Sequence, residues 1–373
     1  MIVKITNEQK NSSFSCKNSQ LSCYAEGGMK TQDKLIIVSA ILGISVFLLG
    51  IFWYFQPLPT PDVLVATPLP KAKDKPLVAT PEVDPEPVAT LTFVGDVMLA
   101  RSVEAAILEH GTDYPFAKLG SLFSETDAVI GNFEGTVRPE QHLEVTNQMN
   151  FDTTPDNVTM LAKAGFTHLS LANNHTDDYG NAVTELTRQT ISDNHITPFG
   201  DPVQSENFIR HETINGISIS IIGFHAFGQD TESILSAIRT ESQADQLVIV
   251  YPHWGVEYAT QAPSVETEAA KLFVQAGADM IIGAHPHVIQ NIDIIDGVPV
   301  VYSLGNFLFD QDFSAETRRG LTVKVTITAT DIQLKFQPID ITNRQTMPMA
   351  PEASLAVCAK LELVNCTLSV TRQ

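Results

Sequence analysis

Apolar residues fall into three regimes along the chain. Residues 35–55 (LIIVSAILGISVFLLGIFWYF) form a run of 21 positions without a charge, close to the roughly 20 that a helix needs to cross a bilayer. Residues 56–90 show no periodicity and hold nine prolines in 35 positions, with LVATP repeated at 64–68 and 77–81. From Leu91 onward, short β-branched runs bounded by turn residues alternate with segments of helical period. The runs 91–99 (LTFVGDVML), 168–172, 217–224, 247–251, 280–283 and 298–304 predict buried strands. Segments 155–164, 182–192 and 264–276 predict helices between them. In the last, Ser264 is placed to cap, Val265, Ala269, Leu272, Phe273 and Ala276 share a face, and Gly277 is a stop signal. The stretch 321–341 alternates apolar and polar residues and predicts closing antiparallel strands. Strands alternating with helices predict an α/β layered domain.

The run 35–55 exceeds the roughly 7–15-residue apolar region of a signal peptide and has no A-x-A site behind it, so it reads as a retained transmembrane helix. Lys34 flanks one end, and Trp53 and Tyr54 supply interfacial aromatics at the other. Five lysines (Lys4, Lys10, Lys17, Lys30 and Lys34) precede it against Glu8, Glu26 and Asp33. The positive-inside rule therefore puts segment 1–34 in the cytoplasm and everything past Phe55 outside a single-pass cell-membrane protein. The first 28 residues are polar, and Met29-Lys30 offers an alternative native start. Segment 56–89 reads as a semi-rigid spacer, long enough to reach on the order of 100 Å as polyproline. Residues 90–373 form the globular extracellular domain.

Charge narrows the partners. The net charge is −20, and residues 90–373 alone carry 15 Lys and Arg against 35 Asp and Glu. Nucleic-acid backbone binding needs clustered cations, so nucleic acid is excluded as a partner. Four cysteines are too few and too scattered for a zinc finger. Cys358 and Cys366, eight apart on the outer side, leave a small disulfide loop and two buried thiols both open.

Candidate chemistry sits at strand ends. Asp96 follows Gly95, Glu134 lies in IGNFEG, Asn173, Asn174 and His175 follow HLSLA, His253 follows LVIVYP, and His285 and His287 follow MIIGA. Ligands of α/β sheets bind where strands hand over to loops at their carboxyl ends, so these residues can converge. Singly, each has a plainer reading as a turn, a helix cap or a structural histidine. His285-Pro286-His287 is harder to dismiss, because alternate residues of an extended segment share a side and would aim two imidazoles at one metal. His110, His142, His195 and His211 receive no role, and His225 in GFHAF stays open.

Six segments in order carry a resemblance: GDVMLAR (95–101), NFEG (132–135), LANNHTDDYG (171–180), HWGVEY (253–258), GAHPHV (283–288) and YSLGNFLFD (302–310). They resemble the signature of the CapA proteins, also called PgsA, of capsule and poly-γ-glutamate biosynthesis. That family is similar in turn to the calcineurin-like metallophosphoesterases. The resemblance implies a four-layer α/β/β/α sandwich with a metal site between its sheets, behind an N-terminal anchor. It implies one metal position from Asp96 and His287, Glu134 in place of a bridging aspartate, and Asn174, His253 and His285 at a second. His175 matches the leaving-group acid, and Arg101 and Tyr258 are contacts for an anionic substrate, with Asp96, His175 and Arg101 as the catalytic set. One or two divalent ions, Mn²⁺, Fe or Zn²⁺, suit these ligands.

The sequence departs from the phosphoesterase pattern at Asp96-Val97-Met98, where a thioether replaces a histidine ligand, and at Glu134, longer by a methylene than aspartate. Two functions follow. One is a membrane-anchored, metal-dependent hydrolase or transferase acting on a capsule polymer. The other is a non-catalytic accessory that binds an anionic polymer such as poly-γ-glutamate and partners membrane synthetase subunits. An acidic domain repels such a polymer unless a bound cation offsets the charge locally, which favours a metal in either case.

Overall fold

The computed structural model describes residues 86–139, 149–200 and 208–372. The predicted cytoplasmic segment and membrane span, and the spacer through residue 85, lie outside the described residues. No helix among the described residues is long and apolar enough to cross a membrane.

The described chain is mixed α/β. Its larger sheet has nine strands. β1 (Ala89–Val97) runs parallel to β2 (Ala128–Phe133), β2 to β5 (His168–Ser170), and β5 to β6 (Thr197–Phe199). On its other side β1 pairs antiparallel with β14 (Arg319–Ile327), which continues into β15 (Asp331–Thr342) and β16 (Gln345–Pro348). The short β13 (Asn306–Leu308) adds parallel to β1, and β17 (Thr367–Thr371) pairs with β15. A six-stranded sheet runs in the order β11 (Ile292–Ile295), β12 (Val298–Val301), β10 (Met280–Ile282), β9 (Leu247–His253), β8 (Ile217–His225), β7 (Ile209–Ile214). β3 (Thr136–Val137) and β4 (Asp152–Thr153) form a separate two-stranded ribbon.

Within residues 90–372, every predicted strand and helix is present, with ends that agree to within three residues. β1 and β9 are buried along nearly their whole length, which is why they read as continuous apolar runs rather than alternating ones. One apolar cluster draws on both sheets, joining Leu91, Phe93, Val323 and Leu334 to Ile219, Ile249, Tyr251 and Ile282. A second joins Val94, Val129 and Leu169 to residues of α1 (Arg101–His110), α2 (Pro155–Ala164) and α3 (Asn181–Asp193). A third joins Ile222, Val250 and Ile281 to α4 (Thr231–Gln243) and α5 (Ser264–Ala276).

Two local expectations are corrected. α5 buries Glu266, Ala270, Phe273 and Ala276, whereas Val265 and Leu272 are exposed. The helix is thus rotated from the expected face, so that its aromatic Phe273 stacks on Trp254 at 6.0 Å. Its N-cap is Pro263, and Ser264 makes no side-chain cap. Near the C-terminus, Cys358 of α6 (Pro351–Lys360) and Cys366 are joined in a disulfide.

Candidate metal centre

The carboxyl ends of both sheets meet. Asp96 comes from β1, Glu134 follows β2, Asn174 and His175 follow β5, His253 ends β9, and His285 and His287 follow β10. All except Asn174 are buried. Asp96, Glu134 and His287 offer ligand atoms within 4.8 Å of one another. His287 Nδ1 lies 3.4 Å from Asp96 Oδ2, and its Nε2 lies 3.6 Å from Glu134 Oε1. Beside them, His253 Nε2 lies 2.8 Å from Asn174 Oδ1 and 3.0 Å from His285 Nδ1, and His253 Nδ1 is 3.8 Å from Asp96 Oδ1. The six sequence-predicted ligands therefore come together.

The way the paired histidines converge differs from the expectation. His285 and His287 are not extended: both take positive φ, 99° and 59°, in a region that costs a non-glycine residue on the order of 1–3 kcal/mol. Their rings, 5.8 Å apart, reach the site through this strained turn. The His285 N–H donates to Asp96 Oδ2 at 3.1 Å, which helps to hold it.

Electrostatics fit a bound cation. Burial pushes the Glu134 carboxyl well above the ordinary carboxylate range, and Asp96 adds to this while His287 opposes it. Neither Glu134 oxygen has a hydrogen-bond partner although both are buried, an expensive state for a carboxylate. Burial would depress His287, yet Glu134, Asp96 and a hydrogen bond to Asn306 hold it up at about 9. A proton on His287 thus supplies the positive charge that the carboxylates require. Burial and the neighbouring imidazoles lower His253 well below its ordinary value and His285 to about 4. Both are neutral at physiological pH, with lone pairs available to a metal. Carboxylate, imidazole and amide oxygen are the donors that first-row divalent ions take, so the residues fit the implied metal. Met98 contributes nothing to it, since its sulfur accepts the Ala100 N–H at 2.9 Å.

The remaining predicted residues surround a cavity of about 800 Å³, lined by Arg101, His175, Tyr258 and His287 among others. His175 stacks on Phe151 with centroids 3.9 Å apart. Its Nδ1 meets Asp178 at 2.9 Å, and its Nε2 lies 3.8 Å from Glu134 Oε1. Arg101 forms an ion pair with Asp310 and sits 4.4 Å over the Phe151 ring. Tyr258, at φ 66°, accepts from Gln311 Nε2 at 3.2 Å and lies 6.2 Å from the His287 ring. His225 packs 6.4 Å from His253 without joining either ligand group.

Several participants carried no argument of their own in the sequence. Asn132 donates to Asp96 Oδ1 at 2.8 Å, and Asn306 bonds His287 Nδ1 at 2.9 Å. A signal was available, because each is a polar residue following glycine inside an apolar run (Gly131-Asn132 and Gly305-Asn306). Arg138, held by Glu104 and Asp152, had no such signal; its partners lie 34 and 14 residues away.

The profile of the family described as "Bacterial capsule synthesis protein PGA_cap" matches residues 90–311. The capsule biosynthesis protein CapA of Bacillus anthracis is 34% identical over 259 residues, 60% of this chain and 61% of that protein. The PGA biosynthesis protein CapA of Bacillus subtilis (strain 168) is 29% identical over 289 residues, covering 71% and 75%. The aligned part thus spans less than two thirds of the B. anthracis protein. TT1561 of Thermus thermophilus, a solved structure, aligns over 65% of this chain and 99% of its own at 10% identity and a TM-score of 0.38, too distant to carry an argument.

Proposed function

The chain belongs to the PGA_cap family of bacterial capsule synthesis proteins, and from that premise we propose that it is a membrane-anchored, metal-dependent hydrolase or transferase acting on poly-γ-glutamate outside the cell. The buried Glu134 carboxylate with both oxygens unpartnered, between Asp96 and His287, carries the reading. The name of the B. subtilis relative supports the polymer, and the apolar run 35–55 supports the anchor. A disulfide at Cys358–Cys366 suits an oxidising exterior. The three apolar clusters support a four-layer α/β/β/α arrangement.

Asp96, Glu134 and His287 would hold one divalent ion and Asn174, His253 and His285 a second. When bound, such ions supply Lewis acidity and lower the pKa of a water. His175 is oriented by Asp178 at Nδ1, which leaves Nε2 to hand a proton to a leaving group. Phe151 fixes the His175 ring by stacking and shields one face of it from water. Arg101 and Tyr258 on the cavity wall bind and orient the polymer.

The accessory reading draws on Met98, whose sulfur is committed to backbone and leaves the Asp96 group one ligand short of the phosphoesterase pattern. Metal analysis of the full chain, together with polymer output of cells carrying variants, separates the two. We expect bound metal in the wild type, its loss with both output and metal in Asp96→Ala and His285→Ala, and retained metal with output lowered about 100-fold or more in His175→Ala. Retained metal with full output in His175→Ala selects the accessory. A metal-free wild type whose variants all support normal output refutes the metal site and the metal-dependent enzyme with it.

A further inference from the structure

The charge pattern of the cavity does not suit a purely anionic guest. Its two arginines are already engaged, Arg138 by Glu104 and Asp152 and Arg101 by Asp310. Glu257 brings the wall to four carboxylates against two guanidiniums. Among the described residues Glu257 is the cavity carboxylate that enters no ion pair, and it is exposed to solvent in the cavity. It sits near the metal ligands, since its charge raises both Glu134 and His285. In the same cavity lining, the Arg101 side chain keeps 32% of its surface open, with its guanidinium carbon 4.4 Å from the centre of the Phe151 ring. Tyr258, next to Glu257 in the chain, accepts from Gln311, the neighbour of the Asp310 that pairs with Arg101; burial and then Glu257 raise its pKa while Arg101 opposes them.

An exposed carboxylate and a partly open guanidinium lining one cavity together with a tyrosine offer a receptor for a zwitterion. In a γ-linked glutamate chain every internal residue shows a carboxylate and an amide, and the carboxyl-terminal residue shows two carboxylates. Only the amino-terminal residue carries an ammonium and a carboxylate on one carbon. On the proposed reading that the polymer is poly-γ-glutamate, we infer that the cavity selects the amino terminus of the chain, with the terminal ammonium on Glu257 and its α-carboxylate on Arg101. The first γ-amide then points along the wall toward His287 and His175. An internal segment laid in the same place offers Glu257 an uncharged amide N–H in place of the ammonium and must also fit the preceding residue, so the charge-assisted contact is lost.

The test is calorimetric titration of the Mn²⁺-supplemented full chain in detergent with two probes: tri-γ-glutamate with a free amine, and the same peptide N-acetylated. Loss of a charge-assisted hydrogen bond is expected to weaken the acetylated probe about tenfold. Glu257→Gln is expected to bring the free-amine probe down to the acetylated one, with little change for the latter. Equal affinity of the two probes for the wild type overturns the end selectivity and leaves the polymer assignment standing. Failure of both probes to bind overturns the polymer assignment and the selectivity with it. A tenfold difference that survives in Glu257→Gln overturns the assignment of the ammonium site.

Discussion

His225 ends β8 beside His253 with its Nδ1 buried and, among the described residues, unpartnered. Burial lowers its pKa to about 4 against a partial opposing pull from Asp177, while the unfolded chain takes up this proton near 6.5. Between those values the unfolded state binds more protons. Stability therefore falls as pH drops from about 6.5 to 4, by on the order of 2–3 kcal/mol from this group. In urea titrations of the metal-free protein, His225→Gln should lose less stability between pH 7 and pH 4 than the wild type; parallel profiles would show that His225 is not the group responsible. Asn306 acts differently, by holding His287 at Nδ1. Such outer contacts are worth roughly 10–100-fold in metal affinity, so Asn306→Ala should weaken binding by that factor in chelator competition, and unchanged affinity would remove Asn306 from the site. The candidate ligands stood out as strand ends because Asp, Glu, Asn and His there are chemically distinctive, and the family resemblance gave them their metal roles. Asn132 and Asn306 were less so, since an amide acquires its role only from the side chain it happens to face.

At the scale of elements, β1 and β13 approach so closely that a Cβ on Gly95 would stand 1.7 Å from the Gly305 carbonyl oxygen. That approach gives the Asp96 N–H its acceptor, Gly305 O at 3.1 Å, and registers Asp96 opposite Asn306. Gly95→Ala must push the strands apart, costing about 3 kcal/mol or more and displacing Asp96; urea unfolding and metal binding should fall together, and a variant of wild-type stability would contradict the packing. The disulfide closes a short loop between α6 and the strand β17. A loop of this length stabilises by roughly 2.5 kcal/mol, so Cys358→Ser/Cys366→Ser should lower the unfolding free energy by about that amount and make it insensitive to reductant. Long buried strands were readable as apolar runs, yet β6 and β13 have three residues each, too few to show a period. They form because a neighbouring strand offers a ladder, and context of that kind outweighs propensity. The face of α5 was misjudged for a related reason: its apolar residues wrap around the helix, and packing against Trp254 chose among them.

At the scale of the whole molecule, a domain with 35 acidic and 15 basic residues gathers buried carboxylates at one point and offsets them there with a proton on His287. A divalent ion that replaces the proton should stabilise the folded state, by about 2.7 kcal/mol at a hundred times its dissociation constant. Differential scanning with Mn²⁺ or Zn²⁺ should therefore raise the melting temperature by about 5 °C, with reversal by chelator and no shift in Asp96→Ala; an equal rise from sodium chloride alone would reduce the effect to screening. Residue type and local period, read along the chain, determined the α/β class, most of the longer strands and the polar strand ends, among which the family resemblance picked the six metal-ligand candidates. Tertiary structure decided which residues accompany them: Asp178 behind His175, Asn306 behind His287, Asp310 on Arg101, and Glu257 in the same cavity as Arg101. Periodicity reports only which side of an element is apolar, whereas partners separated by up to 209 residues are brought together by strand order and by the close backbone approach that glycine at 95 and 305 permits.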